Sequence, residues 1–389
     1  MKKISADYIF PGNSSPIKNG VIIIDENGLI DAVLNPEIDE INWKGVEKHE
    51  GIICPGFINT HCHLELSYLK GQLTEHTQLH GFVKEIISIR NNFSDEFRDN
   101  AIQLAEQEMI KNGIVAVGDI SNGDSTFLTK ENSPLQYHTF IEVFGSDPKI
   151  ATEAFQHSEG VYNNYFKKNS ASITPHATYS VSDNLTHLIN EHAVKNNTII
   201  SLHNQETASE NTFFEKGEGE LFEFLEISKK HNNQFQPTKK TALPSFLGKY
   251  KNLNKILLVH NTFTNKEDIK WAKTYSKNIY WCFCPNANEY IEGKQPDYSL
   301  FQNEKCTIGT DSLASNWSLS ILDELKTISK KDSTIPLEKL IKWATYNGAQ
   351  FLGFENLGSI EKGKSPGLNL ISGINNSKLT EESNVKKIL

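Results

Sequence analysis

The stretch IICPGFINTHCHLE, residues 52–65, carries an apolar run directly into two histidines that lie one residue apart. A near-continuous apolar run is typical of a parallel strand that is covered on both faces. Residues i and i+2 of a strand point to the same side, so His61 and His63 are predicted to present two imidazoles to one face at a strand end. The pair is a weak signal by itself, because packed or surface histidines give the same spacing.

Seven further segments along the chain are also apolar runs typical of strands, and amphipathic helical patterns lie between them. They are IVAVGDI, YHTFIEVFG, ASITPH, TIISLH, KILLVH, IYWCFCP and CTIGTD. Eight strands that alternate with helices indicate the α/β class, with a parallel sheet closed into a (β/α)8 barrel of the TIM type.

The two ends of the chain have a different pattern. The first fifty-odd residues contain short strand patterns separated by the turns PGNSSP and ENG, and GSIEKGKSPGLNLISG near the C-terminus again alternates turns and strands. We expect residues 1–54 and 351–389 to build a small β-sandwich domain together, beside a catalytic barrel of residues 55–350.

Composition narrows the classes of partner. The 389 residues carry a net charge of −9, which opposes the phosphate backbone, so a nucleic-acid partner is not expected. No apolar run approaches the ~18 residues of a membrane helix, and five cysteines form no disulfide framework. We expect a cytoplasmic protein that acts on a small molecule, with a homodimer as one assembly to consider.

Polar residues recur at the predicted strand ends, which is where β/α barrels build active sites. His203 ends the fifth strand and Asp311 ends the eighth. Together with the histidine pair they offer three imidazoles and a carboxylate, which suit Zn²⁺ or another borderline divalent ion with room for a water. The alternative for Asp311 alone is a helix cap.

Three more residues follow strands in the same way. Glu206, in LHNQET, can reach a water at such a metal as a general acid/base, and its alternative is a solvated loop residue. His260, in LLVHNTF, is either a satisfied core histidine or a group that orients the attacking hydroxide. His176, in ITPHATYS, is expected to touch substrate rather than metal. The fourth strand end offers no lysine to bridge a second ion, so one metal is expected.

The segments PGFINTHCHLE, LHNQET, LLVHN and GTDSLASN, in this order, resemble the amidohydrolase superfamily. The resemblance is to its mononuclear-metal aminohydrolase branch, which includes nucleoside and aminopurine deaminases and chlorohydrolase-type enzymes, and it covers nearly the whole chain. It implies a metal site, a proton shuttle and a group that assists the hydroxide. The residues are His61, His63, His203 and Asp311 for the metal, Glu206 for the shuttle and His260 for the assistance.

The segment HLELS looks most like aminodeoxyfutalosine deaminases and neighbouring nucleoside deaminases, which implicates Glu65 in substrate binding. The seventh strand reads CPNAN where relatives often show Cys-Pro-Arg-Ser-Asn, so recognition at Asn288 is expected to differ. Relatives that deaminate S-adenosylhomocysteine hold its carboxylate with arginines past the third strand. This chain has only Arg90 and Arg98, so that substrate is not expected.

The expected function is hydrolytic deamination of an adenine-type nucleoside or another amino-substituted heterocycle, with release of ammonia. The catalytic residues would be Glu206, His260 and Asp311, and Zn²⁺ is the first choice of metal, with Fe²⁺ and Mn²⁺ as alternatives. Two other functions stay open. One is cleavage of a cyclic amide, a cyclic amidine or a carbon–halogen bond in the same cage, and the other is a metal-binding barrel without turnover.

Overall fold

The protein is described by a computed structural model that covers residues 1–166, 170–227 and 235–389. From the sequence, His231 is expected to be a surface or structural residue, and it lies outside these ranges. None of the described helices combines the length and the apolarity that a membrane crossing requires.

The strands fall into three groups along the chain. The first group is β1 (Lys2–Ile9), β2 (Ile17–Lys18), β3 (Val21–Ile24), β4 (Ile30–Leu34) and β5 (Val46–Pro55). The second group is β6 (Phe57–Cys62), β7 (Ile114–Ser121), β8 (Gln136–Val143), β9 (Ser170–Pro175), β10 (Ile200–Asn204), β11 (Ile256–His260), β12 (Ile279–Phe283) and β13 (Cys306–Ile308). The third group is β14 (Leu368–Ser372) and β15 (Asn384–Lys387).

Helices follow most strands of the second group. In chain order they are α1 (Gln78–Ile89), α2 (Asp95–Lys111), α3 (Phe127–Glu131), α4 (Ala151–Phe166), α5 (Asp183–Asn196), α6 (Ala208–Lys216), α7 (Glu220–Ile227), α8 (Ala242–Leu247), α9 (Lys266–Tyr275), α10 (Pro285–Glu292), α11 (Ile321–Lys331), α12 (Leu337–Ala344) and α13 (Tyr346–Leu352). Short 3₁₀ turns lie at Leu64–Leu69, Arg90–Asn92, Pro148–Ile150 and Tyr298–Phe301.

Helix α2 shows how local sequence sets these elements. The Ser94 hydroxyl accepts a hydrogen bond from a free backbone N–H of the first turn, which caps the helix. Ile102, Ala105 and Met109 recur at helical spacing and are buried in the main core. Gly113, at φ 75°, follows the helix and turns the chain into β7.

The eight central strands form two parallel sheets, ordered β6-β7-β8-β9 and β10-β11-β12-β13. Their edges meet at two isolated parallel bridges, Ala177 with His203 and Cys62 with Asp311. The α/β class with parallel sheets, predicted from the alternation of strands and helices, is thereby confirmed.

Segments from both chain ends meet in a separate sheet of order β15-β14-β5-β1-β3-β4, with β2 paired to β1. Strand β1 runs parallel to β5, and β14 pairs with β5 in the antiparallel direction. Isoleucines fill the core of this sheet, among them Ile4, Ile22 and Ile53, and Leu368 from the C-terminal segment packs with them.

One expectation about the strands is wrong. The run at residues 52–61 is not one strand, because β5 ends at Pro55 and β6 begins at Phe57 in a different sheet. Gly56 forms the junction, and a Cβ there would lie 2.3 Å from a Val115 methyl and 2.8 Å from the Pro366 carbonyl oxygen. Because only glycine fits so close an approach, Gly56 allows the chain to run from the sheet of β5 into the sheet of β6 without a loop.

Candidate metal centre and active site

Four side chains from three strand ends meet at one point. The Nε2 atom of His63 lies 3.1 Å from that of His61 and 3.2 Å from that of His203. Asp311 Oδ1 lies 3.5 Å from His61 Nε2 and 3.4 Å from His63 Nε2. These distances show that the four ligands predicted from the sequence come together in space. All four residues are buried.

The donor atoms fit one metal ion. Nitrogen ligands about 2.0–2.1 Å from a tetrahedral zinc ion lie roughly 3.3–3.4 Å from each other, close to the spacings of this cluster. His203 Nδ1 lies 2.7 Å from the backbone oxygen of His176 and donates to it, which leaves the Nε2 lone pair of His203 for a cation. His61, His63 and Asp311 also form a group whose ligand atoms lie within 4.8 Å of one another.

Burial and charge set the protonation states that a metal requires. Burial lowers the pKa of His61 to about 3 and holds the pKa of His203 well below its usual range. Burial alone would raise the pKa of Asp311, but a hydrogen bond with His61 and the nearby His63 and His260 outweigh it and lower that pKa. Neutral imidazoles beside an ionised carboxylate form a ready ligand set.

The backbone at the strand ends is held in an uncommon conformation. Asp311 has φ 57° and His260 has φ 72°, in the left-handed region that costs a non-glycine residue about 1–3 kcal/mol. The backbone N–H groups of Thr310 and Asp311 both donate to the His61 oxygen at 3.0 Å. These hydrogen bonds hold the Asp311 turn against β6 and aim its carboxylate at the histidine pair.

A buried network that the sequence reasoning missed fixes the Asp311 loop. The Ser315 hydroxyl donates to Asp311 Oδ2 at 2.6 Å. Asn316 Nδ2 donates to the Thr310 oxygen at 2.8 Å and to Glu324 Oε1 at 2.7 Å. Glu324 lies on α11 in an ordinary amphipathic pattern, so no sequence signal marked it as a support of the site.

Glu206 and His260 face each other beside the cluster. Glu206 Oε1 lies 3.7 Å from His260 Nε2, and both side chains are buried. Burial, with Asp311 as the next cause, raises the pKa of Glu206 well above its usual range. His260 Nδ1 lies 2.9 Å from Asn288 Oδ1, an atom that only accepts, so Nδ1 donates and Nε2 turns to the site.

The three predicted substrate contacts lie around the ligand cluster and the Glu206–His260 pair. Glu65 accepts from the backbone N–H of Asn122 at 3.0 Å and from its side chain at 2.6 Å. The His176 ring lies 4.8 Å from that of His203. Asn288 supports His260, and its Nδ2 has no hydrogen-bond partner within the described part of the chain. Their assignment as substrate contacts stays a prediction.

Glu142 is a further carboxylate at the site that the sequence reasoning did not single out. It is the second-last residue of the buried strand β8, and its Oε1 lies 3.6 Å from His203 Nδ1. Burial, then the charge of Glu65, raises the pKa of Glu142 well above its usual range. A polar residue at the third strand end, in FIEVFG, was the signal that could have found it.

A buried ion pair holds the segment that follows the histidine pair. Asp119, two residues before the end of β7, has its Oδ2 2.6 Å from Lys130 Nζ, and neither side chain is exposed. Asp119 Oδ1 also accepts the backbone N–H of Leu64 at 2.8 Å. The pair therefore fixes the turn at Leu64–Leu69 directly beyond His63.

Replacing Lys130 by methionine is expected to lower the free energy of unfolding by about 3–5 kcal/mol, because it leaves the Asp119 carboxylate buried without its cation. Urea unfolding monitored by circular dichroism measures the loss. Lys330→Met is the matched control, since Lys330 and Glu381 are each 83% exposed and 3.8 Å apart, and no measurable change is expected. Equal effects of both substitutions would contradict the role of the buried pair.

The geometry has counterparts among known proteins. The sequence model of the amidohydrolase family matches residues 52–388. The aminodeoxyfutalosine deaminase of Nitratiruptor sp. is 31% identical over 334 residues, which cover 82% of this chain and 78% of that protein. The adenosine deaminase of Helicobacter pylori is 29% identical over 349 residues, covering 87% of this chain and 82% of that protein.

A solved structure is similar over almost the whole chain. It is the crystal structure of Helicobacter pylori aminofutalosine deaminase in complex with methylthio-coformycin, which superposes with a TM-score of 0.81 at 25% sequence identity. The match covers 98% of this chain and 94% of that chain.

Proposed function

The chain belongs to the amidohydrolase family. We propose that its buried cluster holds one divalent metal ion and that the protein is an enzyme that hydrolytically deaminates an adenine-type nucleoside, releasing ammonia. The observation that carries this proposal is the convergence of three imidazoles and Asp311 within 3.1–3.5 Å, with Glu206 and His260 beside them. The deaminases among its relatives support the class of reaction, in which a carbon–nitrogen bond is cleaved by water.

We further propose that the two parallel sheets are halves of one closed (β/α)8 barrel. The bridges of Ala177 with His203 and of Cys62 with Asp311 support closure at both seams. The sheet built from both chain ends supports a small β-sandwich domain of residues 1–54 and 351–389, with the barrel formed by residues 55–350.

His61, His63, His203 and Asp311 would hold the metal, and the nitrogen-rich donor set favours Zn²⁺ over Mn²⁺ or Fe²⁺. When bound there, a divalent ion would lower the pKa of a water to roughly 7 and so would supply hydroxide near neutral pH. The neutral state of His61 and the ionised state of Asp311 favour binding of a cation without prior loss of protons.

The proposed mechanism assigns one task to each nearby side chain. Glu206 takes a proton from the attacking water and gives it to a ring nitrogen next to the amino-bearing carbon. His260 Nε2 and the Asp311 carboxylate orient the water oxygen as it forms its bond to that carbon. The second proton of that water passes from the carbon-bound oxygen to the amino group. The carbon–nitrogen bond then breaks with its electron pair going to nitrogen, ammonia leaves, and the oxygen forms a carbonyl with the ring carbon.

Glu65, His176 and Asn288 are proposed as the substrate contacts. Glu65 and His176 lie on the β6 to β9 side of the cluster, and Asn288 lies behind His260. The five cysteines are free and buried, which supports a reducing compartment such as the cytoplasm. A homodimer stays a prediction.

The decisive experiment is metal analysis of the purified protein together with an ammonia-release screen of the same preparation. The panel contains adenosine, 5′-substituted adenosines, other aminopurines, pterins, a cyclic amide and a chlorotriazine. We expect about one metal ion per chain and ammonia from adenine-type nucleosides. Turnover of the chlorotriazine or the cyclic amide without ammonia release from any nucleoside would overturn the proposal.

A further inference from the structure

Glu210 is a buried carboxylate next to the active site that takes no part in the proposed proton transfers. It lies in the first turn of α6, four residues beyond Glu206, and it is 1% exposed. Burial raises the pKa of Glu210 to about 7, against the lowering effect of the Thr178 hydroxyl and of the Gln205 and Glu206 backbone N–H groups. Within the described part of the chain no cation pairs with Glu210. Since an exposed glutamate would serve the first turn of a helix equally well, burial without a counter-ion indicates a further role.

The two carboxylate oxygens of Glu210 hold two different loops. Oε2 accepts the backbone N–H of Glu206 at 3.0 Å. Oε1 accepts the hydroxyl of Thr178 at 2.6 Å. Thr178 lies two residues beyond His176, which directly follows β9. One carboxylate therefore fastens the loop that carries the proposed acid/base to the loop that follows β9.

This arrangement differs from a capping box at the start of a helix. In a capping box the side chain of the third helical residue accepts the backbone N–H of the N-cap residue, and the N-cap side chain accepts in return. The N-cap of α6 is Thr207, and its side chain forms no capping hydrogen bond among the described residues. Glu210 instead reaches one residue further back, to Glu206. The hydrogen bond therefore fixes the backbone of the acid/base itself.

The residue before Glu206 is anchored separately. Gln205 has φ 47°, a left-handed conformation that is uncommon for a residue with a side chain. Its Nε2 donates to Asp268 Oδ2 at 2.8 Å, and its Oε1 accepts the hydroxyl of Thr264 at 2.7 Å. The turn is thus held before Glu206 by Gln205 and at Glu206 by Glu210, so the backbone sets the direction of the acid/base side chain.

We propose that Glu210 is a positioning residue for the deamination, which keeps the Glu206 carboxyl group directed at the metal cluster by accepting the Glu206 backbone N–H and joining its loop to Thr178. This rests on the proposed function, in which Glu206 moves protons between the water and the ring. Such a transfer requires the donor and the acceptor to lie within hydrogen-bond reach, so a small displacement of the side chain lowers its rate strongly. Glu210 acts through Glu206 and exchanges no proton with the substrate.

Two substitutions of Glu210 separate its hydrogen bonds from its charge. Glu210→Ala removes both acceptors and is expected to lower kcat for adenosine about 10–100-fold, the range that one charged hydrogen bond gives. Glu210→Gln keeps an oxygen for the Glu206 N–H, and its kcat is expected to stay within about three-fold of the wild type. Metal content and KM are expected to stay within about two-fold in both variants, because uniform binding of the substrate is not touched. Glu215→Gln, half-buried on the same helix, is the matched control and is expected to leave kcat unchanged.

A double-mutant cycle distinguishes positioning from a general loss of structure. If Glu210 acts through Glu206, adding Glu210→Ala to Glu206→Gln lowers kcat no further than about two-fold. If the losses of the two single substitutions multiply instead, or if Glu210→Ala keeps the wild-type kcat, the proposal is wrong. Should Glu210→Ala not fold, Thr178→Val cuts the same link from the other loop. It is expected to lower kcat about three- to ten-fold, and an unchanged kcat would reject the proposal.

Amide hydrogen exchange, resolved to single residues by mass spectrometry, tests the contact without turnover. The Glu206 backbone N–H is expected to exchange at least about ten-fold faster in Glu210→Ala than in the wild type, because it loses its acceptor. If the wild type releases no ammonia from any nucleoside, the deaminase function is wrong. The exchange rate then still decides whether Glu210 holds the Glu206 loop, and equal rates in the two proteins would reject it.

Discussion

Replacing His203 by alanine is expected to remove the metal and to lower kcat/KM for deamination by at least about 10⁴-fold. Unassisted water, with a pKa of 15.7 instead of roughly 7, offers about 10⁸-fold less hydroxide at neutral pH. His203 Nε2 lies 3.2 Å from His63 Nε2, so its loss removes one of the three imidazole ligands and opens the donor set on the β10 side, which is expected to weaken metal binding strongly. Elemental analysis of the purified variant and its rate of ammonia release measure the two effects separately.

The matched control is His138→Gln. His138 is also a buried histidine in a parallel strand, but it lies on β8, and its Nε2 pairs with the Ser172 hydroxyl at 2.8 Å away from the cluster. Its substitution is expected to lower stability while metal content and kcat stay near those of the wild type. A His203→Ala protein that keeps a full complement of metal and its activity would show that the cluster is not the metal site.

The convergence of the candidate ligands could be predicted because each of them directly follows an apolar strand. In parallel sheets the strand ends share one edge, so residues that are distant in the chain arrive together. His61 and Asp311 are 250 positions apart by their numbers, yet the backbone N–H of Asp311 donates to the His61 oxygen. The pattern predicts the edge on which a residue lies, and the structure adds the distances.

The supports of the site could not be predicted, because they depend on contacts between segments that carry no distinctive pattern. Lys130 is an ordinary helical lysine in the sequence and becomes a buried partner of Asp119 only because α3 packs on β7 and β8. The junction at Gly56 was missed for a related reason. Both β5 and β6 are buried and apolar there, so hydropathy does not change where the chain passes from one sheet to the other.

The two arginines show the same limit. From the sequence, their position before the third strand argued only against one carboxylated substrate. The turn between α1 and α2 brings Arg90 and Arg98 to one cavity of about 470 Å³, which Glu65 and Asn122 also line, and the Arg98 side chain donates to the Arg90 backbone oxygen there. The fact that the chain has only two arginines therefore said less about their role than their common position in the structure does.

Replacing Glu206 by glutamine is expected to lower kcat by about 10²–10⁴-fold while the metal content stays unchanged. Glutamine keeps the size and shape of the side chain and can still donate a hydrogen bond, but it cannot take a proton from water and pass it to the ring. Glu206 lies 3.7 Å from His260 and is not among the grouped metal-ligating atoms, so the donor set survives the change. Single-turnover rates and metal analysis of the variant measure the two properties.

Glu218→Gln is the matched control for this substitution, because Glu218 is exposed and pairs only loosely with Lys216 at 3.7 Å. It is expected to leave kcat unchanged. Burial, with Asp311 as the next cause, raises the pKa of Glu206, which makes its carboxylate a stronger base toward the attacking water than an exposed one. If Glu206→Gln keeps both its metal and its full kcat, another group moves the proton, and Glu142, the further buried carboxylate near His203, becomes the residue to replace next.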